Sequence, residues 1–330
     1  MTNRTKRERI GVLAGGPSSE REISLLSGSA VHGALISAGC DAVLIDVTGS
    51  EHVRDEVRAA GIDIAFIALH GRFGEDGSVQ TVLEEMGIPY TGSGPEASKR
   101  ALDKIVSREI FAQNRIAIPR GFLLRRQETA AGVGELETAG FSLPLVVKPP
   151  LEGSSIGVSI VSAASDFAAA AAEAFRYSDT IIIEEYIKGR ELTVGILGER
   201  PLPVIEIGVD KEFYDFKAKY ISDTTRYILP ARISAMETLE AQRVALAAHR
   251  ALGCRSFSRV DMILSEKDRQ MIVLEVNSIP GFTSHSLLPK AAAAAGINFA
   301  DLCRQLIDFA RNPQGARGPG GESVTLAGAV

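Results

Sequence analysis

Apolar and polar positions alternate most clearly over residues 257–277, FSRVDMILSEKDRQMIVLEVN, with the period of two strands joined by a polar turn at 265–270. Side chains two apart in a strand share a face. Arg259 and Asp261 therefore point one way, and Val260, Met262 and Leu264 point the other. In the second run Glu275 and Asn277 share a face, opposite Ile272, Leu274 and Val276. Pairing through the turn brings the two polar faces together. The result is one arginine, two carboxylates and an amide above an apolar floor. Carboxylates and an amide are hard oxygen donors, the set that suits Mg²⁺ rather than zinc. A half-buried hairpin with a solvated face has the same period, but such a face normally carries Thr, Lys or Ser. Clustered carboxylates favour the metal reading.

Upstream, an apolar run at 10–14 leads through Gly15-Gly16-Pro17 to Ser19-x-x-Glu22, a capping-box pattern. A helix follows to about residue 38, with Ile23, Leu26, Ala30 and Leu35 on one side. Strands at 42–47 and 63–69 flank a helix near 51–60. This βαβαβ order predicts a parallel, Rossmann-like sheet whose ligand edge lies at the C-terminal ends of its strands. The loops 14–20 and 70–77, the second reading HGRFGEDG, emerge there. A first boundary is expected near Ser98. In the second block, 99–189, Asp103 caps a helix to about 114. Strands are expected at 121–124, 145–148, 156–161 and 180–186, and helices at 128–139 and 166–175. The third block, 190–312, opens with strands at 191–197 and 202–209. Residues 210–229 are polar and without a clear period, and so long an irregular run inside a compact domain is usually functional. A helix at 236–252, the hairpin, a loop at 278–285 and helices at 287–295 and 299–311 complete the block. The Gly-, Pro-, Ala- and Ser-rich end, 313–330, reads as a flexible tail. The fold class is α/β (α+β): a parallel-sheet domain followed by a two-part second half.

Composition narrows the function. At 330 residues, 45% hydrophobic and 23% charged, the chain has room for two or three domains with a sizeable core. A net charge of −5 excludes the basic footprint expected for nucleic acid or an anionic membrane. The three cysteines, Cys40, Cys254 and Cys303, are odd in number and far apart, which argues against a disulfide framework and against CxxC metal chemistry. They read as small buried hydrophobes. The basic N-terminus (Arg4, Lys6, Arg7, Arg9) is followed by too short an apolar run for a signal peptide, and no run approaches a membrane span. A cytoplasmic protein is expected.

Two further stretches carry candidate chemistry. Lys148-Pro-Pro-Leu-Glu-Gly153-Ser154-Ser155-Ile-Gly157 ends a strand with a lysine and opens a small-residue loop. Backbone N–H groups in such a loop can cradle phosphate oxygens, and the lysine can neutralise them. The lysine precedes the glycines and no GKS/T follows, so this is not a Walker A loop; an ordinary polar turn fits equally well. Glu184 and Glu185 end the next strand, and Glu191 follows. Strand-end carboxylates beside an apolar wall suit adenosine, although a solvated strand end has the same sequence.

Taken together, VLAGGPSSEREISL, ALHGRFGEDG, PYTGSG, VKPPLEGSSIGVS, FYDFKAKY, SRVDMIL and LEVNSIPGFTSHS resemble the D-alanine–D-alanine ligase family of the ATP-grasp superfamily, in order and over roughly residues 8–311. The resemblance implies a Rossmann-like N-terminal domain (1–98), a small central ATP-grasp domain (99–189) and a C-terminal ATP-grasp domain (190–312) with its lid at 210–229. It implies ATP between the last two, two Mg²⁺ ions (Mn²⁺ able to substitute), D-alanine as substrate and a homodimer. Lys104 and Lys148 should bind the ATP phosphates, and Glu184, the Glu185–Ile187 backbone and Glu191 should hold adenine and ribose. Ser154 should lie near the γ-phosphate and the amino acids. Asp261, Glu275 and Asn277 should ligate the metal ions, with Glu275 bridging. Lys219 should reach the γ-phosphate from the lid. Glu20 should take the ammonium of the first D-alanine, with His70 nearby. Arg259 and the Gly281 N–H should form the oxyanion hole. Ser286 should bind the second D-alanine's carboxylate. Tyr220, Ser154 and Glu20 correspond to the family's hydrogen-bonded trio. Arg259 is expected to wait for the tetrahedral intermediate rather than pair permanently with Asp261.

The family tends to carry tyrosine at the Tyr220 position in dipeptide-forming enzymes and phenylalanine in depsipeptide-forming ones, so Tyr220 points to D-alanyl-D-alanine. Phe73 departs from the small residue common in HGRxGEDG, and Ser278-Ile279 and Phe282 replace Thr-Leu and Met. The alternatives are a D-alanine–D-lactate or D-alanine–D-serine ligase, or a non-catalytic ATP-grasp regulator. The regulator should have lost one of Arg259, Lys219 or the metal set, and all are present. Gly11–Gly16 is not GxGxxG, which argues against a dinucleotide. His285 between Ser284 and Ser286 is better read as part of a carboxylate-binding loop than as a nucleophile's partner.

Overall fold

The computed structural model describes residues 8–128, 140–209, 225–283 and 285–313. Most of the expected helix at 128–139, the stretch 210–224 with Lys219 and Tyr220, and the tail beyond 313 lie outside the described residues.

The apolar strand β1 (Arg9–Gly15) is buried at every position after its first. It pairs in parallel with β2 (Asp41–Val47) and β3 (Ile64–Ile67), in the order β2-β1-β3. Helices α1 (Arg21–Ser37) and α2 (Val53–Ala60) make the crossovers, so the βαβαβ expectation holds. The capping box does not form. Glu20 is the N-cap residue of α1, and no side chain caps the helix. Ser18 donates instead to the His70 carbonyl at 2.7 Å, and the Glu20 carboxylate accepts from Ser154. The helix starts one residue later than the pattern requires, so Ser19 lies outside the N-cap position.

Helices α3 (Ser78–Glu85), α4 (Pro95–Leu102) and α5 (Lys104–Gln113) follow, and position 98 lies inside α4. Asp103 caps α5 as expected, accepting from the N–H groups of Ile105 and Val106 at 2.9 and 3.2 Å. The central sheet contains β4 (Gly121–Arg125), β5 (Leu145–Lys148), β6 (Ser159–Val161) and β7 (Thr180–Glu185). Its order is β4-β7-β5-β6, all antiparallel, with α6 (Phe167–Ala174) packed on β5 and β6.

The third sheet is also antiparallel. It comprises β8 (Gly189–Leu197), β9 (Arg200–Pro201), β10 (Ile205–Val209), β11 (Thr225–Ile228), β12 (Phe257–Ser265) and β13 (Met271–Asn277). Its order is β11-β10-β8-β12-β13, with β9 beside β8. The strands β12 and β13 pair as Arg259↔Asn277 and Asp261↔Glu275, so the expected polar face is formed. A bulge then places Met262 opposite Val273 and leaves Leu274 without a register partner. The expected alternation of Ile272, Leu274 and Val276 is therefore corrected. Met271, Val273 and Val276 enter the core with Val260, Met262 and Leu264, while Leu274 is only half-buried. The extra residue shifts the alternation by one beyond the Asp261↔Glu275 pair and leaves that pair in register.

Helix α7 (Ala235–Ala251) starts with a capping box formed by Ser234 and Glu237. Helices α8 (Leu287–Ala294) and α9 (Phe299–Arg311) close the chain. One apolar cluster joins the two ends of the sequence: Val12, Leu35 and Phe66 from the first sheet layer meet Leu197, Phe257, Leu288 and Leu306. Phe282 sits at its centre, edge-on to Phe66 at 5.3 Å and to Phe257 at 5.4 Å. Such aromatic pairs contribute about 0.5–1.5 kcal/mol beyond burial. They fix the loop after β13 against the N-terminal sheet.

His249 on α7 is fully buried, with Nδ1 2.7 Å from the Ser258 hydroxyl. Burial pushes its pKa down to about 4. The unfolded chain binds a proton below about pH 6.5 and the folded chain does not, so stability is lost as pH falls from 6.5 toward 4. Denaturant midpoints should drop over that window in the wild type and drop less in His249→Phe.

Candidate active site

The three sheets meet at a cleft lined by Glu20, His70, Lys104, Ser154, Arg259, Glu275, Asn277 and Gly281. Residues separated by up to 261 positions thereby share one cavity. The Ser154 hydroxyl donates to Glu20 Oε1 at 2.5 Å, joining the loop after β5 to the start of α1. Ser154 and Ser155 have φ of 54° and 60°, the left-handed region that non-glycine residues rarely adopt. Strain of this kind collects where a loop is held for function. Gly71 closes the other side of Glu20: with φ +67°, it would place a Cβ 2.9 Å from Glu20 Oε2. A side chain there would displace the carboxylate.

Lys104, at the start of α5, is buried. Its Nζ donates to the Glu152 carbonyl at 2.8 Å and lies 3.2 Å from Glu275 Oε2. It thus ties the small-residue loop to β13. Four hydrogen bonds converge on buried Asp261: Arg259 Nε at 2.9 Å and Thr193 Oγ1 at 2.6 Å to Oδ1, Arg259 Nη2 at 2.6 Å and Asn277 Nδ2 at 3.1 Å to Oδ2. That occupies the carboxylate's roughly four lone-pair positions. The expectation that Arg259 stands clear of Asp261 is corrected: the pair is bidentate. The two residues share a strand face, and a planar guanidinium matches a carboxylate at that spacing.

A second cluster lies at the ends of β5 and β7. Lys148 Nζ is 2.7 Å from Glu184 Oε2, and Arg108 pairs with the other oxygen of Glu184 while donating to the Pro119 carbonyl at 2.9 Å. One buried carboxylate thus holds two cations, leaving a net positive charge beside the loop. Glu185 faces Arg120, whose backbone N–H donates to Oε1 at 3.1 Å. Ile187 and Glu191 are half-buried, Ile187 in the turn before β8 and Glu191 on β8 opposite Ile207 and Ile263.

His70 is buried against Ser27, with Nε2 3.1 Å from its hydroxyl, and Nδ1 is 3.8 Å from Glu75 Oε1. Ser27 in turn accepts from the Phe282 N–H at 3.3 Å, so His70 is linked to the loop after β13. In that loop a Cβ on Gly281 would lie 2.8 Å from Ser286 Oγ, so only glycine leaves the serine in place. Phe73 has φ +72°, a left-handed conformation that a side-chain-bearing residue rarely adopts.

Several groups here escaped the sequence reading. Arg108 and Thr193 lie outside every motif, while Arg72 and Glu152, whose Nη2 and Oε1 are 3.4 Å apart, lie inside quoted motifs that gave them no role. Arg108 at the i+4 position from Lys104 was the one available signal.

A parallel-sheet domain followed by two antiparallel sheets around a charged cleft is the architecture of an ATP-grasp ligase. Family models described as D-ala D-ala ligase N-terminus and D-ala D-ala ligase C-terminus match residues 48–93 and 113–308. The chain is 50% identical over 302 residues to the D-alanine–D-alanine ligase of Geotalea uraniireducens, covering 92% of this chain and 95% of the relative. It is 49% identical to that of Geobacter sulfurreducens, covering 92% and 94%. A crystal structure of the Bacillus anthracis D-alanine–D-alanine ligase complexed with ATP superposes with a TM-score of 0.82 at 35% identity, covering 94% of this chain and 99% of that one. The VanG D-Ala:D-Ser ligase of Enterococcus faecalis gives 0.79 at 30% identity, covering 92% and 100%. The chain belongs to the D-alanine–D-alanine ligase family.

Proposed function

We propose that the protein is an ATP-dependent ligase that joins two D-alanines to D-alanyl-D-alanine through an acyl phosphate, supplying the cell-wall precursor. The observation that carries this reading is the Glu20–Ser154 contact in a cleft that also holds Lys104, Arg259, Glu275 and Gly281. An ammonium-binding carboxylate, a phosphate-loop serine and a guanidinium have to converge for this chemistry, and here they come from three sheets.

Forming an acyl phosphate brings a carboxylate against a phosphate. Lys104, Lys148 and Arg259 offset that repulsion. Glu20 would orient the donor through its ammonium. Arg259 and the Gly281 N–H would stabilise the oxyanion as the second amine attacks. The attacking amine must be neutral, so a proton has to leave it; Ser154 and Glu20, already hydrogen-bonded, with Tyr220, form the proposed relay. Ser286 would hold the acceptor carboxylate, and His70 supports its loop through Ser27. Glu184, Glu185, Ile187 and Glu191 would hold adenosine, with Lys219 on the γ-phosphate. The proposed division of the chain, 1–98, 99–189 and 190–312 with a lid at 210–229, follows the three sheets.

The donor set fits Mg²⁺. Asp261 and Glu275 stand opposite each other in register, with Asn277 on the same face, giving hard oxygen donors beside the compensating charges of Arg259 and Lys104. Bound Mg²⁺, or Mn²⁺, would neutralise phosphate charge there. We also propose a cytoplasmic homodimer. Among the described residues no helix is long and apolar enough to cross a membrane.

The test is phosphate release with ATP and Mg²⁺, with and without D-alanine, followed by product identification. D-Alanine-dependent release with D-alanyl-D-alanine as product is expected. Release that ignores D-alanine would sink the ligase reading. The D-serine and D-lactate alternatives are not favoured, because the relatives at 50% and 49% identity are D-alanine–D-alanine ligases and the D-Ala:D-Ser ligase is 30% identical. Mixed incubations with D-serine or D-lactate, yielding the mixed product at neutral pH, would move the assignment to that branch.

A further inference from the structure

The loop after β13 orders one hydroxyl with more care than a simple contact requires. Ser286 is the N-cap residue of α8, with φ −72° and ψ 144°, yet its side chain caps nothing. A serine in that position normally accepts from the N–H of the second or third helical residue. The third residue of α8 is Pro289, which has no N–H, and the Ser286 side chain turns back onto its own loop. There Ser286 Oγ accepts from the Thr283 N–H at 2.9 Å and faces Thr283 Oγ1 at 2.9 Å. Thr283 Oγ1 itself accepts from the His285 N–H at 3.3 Å.

A hydroxyl has one proton to donate and two lone pairs to accept with. Either hydroxyl can donate within the pair; a carboxylate arriving at Ser286 Oγ takes the serine's proton and leaves the Thr283 hydroxyl to donate to Ser286, a direction that the His285 N–H on Thr283 Oγ1 supports. Ser286 Oγ then accepts twice, from the N–H and the O–H of Thr283. Both lone pairs are used, and its own proton has to point away from Thr283. Gly281 keeps the space beside that oxygen open.

We infer that Thr283 is a positioning residue for the acceptor subsite: by donating to Ser286 it fixes that hydroxyl and frees its proton for the carboxylate of the second amino acid. This rests on the ligase reading and deepens it. A serine free to rotate could offer a lone pair to an incoming carboxylate and repel it. A serine held in this way offers only its proton. The inference assigns Thr283 no contact with the substrate, and its whole effect runs through Ser286.

The experiment compares wild type, Thr283→Val, Thr283→Ser, Ser286→Ala and the double variant Thr283→Val/Ser286→Ala. ADP formation is followed over D-alanine and ATP concentration and fitted with separate constants for donor, acceptor and ATP. Thr283→Val keeps the volume and the backbone N–H but removes the hydroxyl. It should raise the acceptor constant roughly three- to tenfold, the size of one modest hydrogen bond, with the donor and ATP constants within twofold of wild type. Thr283→Ser should restore the wild-type value. In the Ser286→Ala background the valine should change the acceptor constant no further, because the group it acts through is gone. An unchanged acceptor constant in an active Thr283→Val enzyme overturns the inference. Parallel losses in all three constants, no rescue by serine, or an undiminished valine effect without Ser286 overturn it too. Wild-type enzyme that shows no D-alanine-dependent turnover overturns the ligase reading, and this inference with it.

Discussion

Glu275→Gln should lower turnover by at least about a hundredfold to a thousandfold, the loss typical of removing one group that stabilises charge in the transition state, while the fold persists. Glu275 stands opposite Asp261 at the end of β13 and lies 3.2 Å from Lys104 Nζ. The amide has nearly the same volume, so packing around Val276 is kept. What is lost is one negative charge that both Lys104 and a divalent ion would use. Lys104 is buried and keeps its bond to the Glu152 carbonyl, so it remains satisfied in the variant. Circular dichroism and a thermal midpoint within a few degrees of wild type would establish the fold, and ADP release would give the turnover. A folded Glu275→Gln enzyme with near-normal turnover would remove the metal face from the mechanism.

Arg259→Lys is expected to be almost as damaging, although charge is conserved. The guanidinium grips Asp261 through two nitrogens at 2.9 and 2.6 Å, and a lysine offers a single point of attachment. Two consequences separate in measurement. Stability should fall by about 1–3 kcal/mol, because a buried carboxylate loses a charged hydrogen-bond partner, and the denaturant midpoint reads this. Turnover should fall by roughly a hundredfold or more, because the developing oxyanion loses its planar donor. Thr193 and Asn277 still hold Asp261, so the strand pair should survive the change. Turnover within a few-fold of wild type would show that a point charge suffices at this position and would exclude the oxyanion role.

The pairing of Arg259 with Asp261 also bears on how the site works. An arginine committed to a carboxylate is neutralised locally and held rigid. A cation that drew on Asp261 would compete for the same lone pairs, so metal and guanidinium occupancy at Asp261 are coupled through one side chain. Alternation along β12 shows that the two residues share a face, but not whether they bond.

Much of the fold was legible along the chain because it depends on short-range periodicity. The parallel sheet follows from three apolar runs separated by helices, and the Asp103 cap from one side chain and the amides two and three residues on. The polar face of the hairpin follows from the two-residue period at 259, 261, 275 and 277. The failures have local causes as well. Ser19-x-x-Glu22 has the letters of a capping box, but the helix begins at Arg21, which puts Glu20 rather than Ser19 at the N-cap. Leu274 belongs to an apolar alternation until a bulge moves it out of phase.

By itself the sequence determined which chemical groups are available: an oxygen-rich metal face, a lysine before a small-residue loop, strand-end acids, and a serine-bearing loop after β13. Their number, type and order are properties of the chain, and they suffice to recognise a family. Only the tertiary structure decided which groups touch. Ser154 meets Glu20 across 134 positions of sequence, Lys104 at the start of α5 reaches Glu275 on β13, and Arg108 shares Glu184 with Lys148. The physical reason is range. Periodicity and capping act over a few residues, whereas these contacts depend on how three sheets pack around one cleft. That packing is set by the apolar cluster in which Phe282 meets Phe66 and Phe257, a meeting that no local pattern encodes.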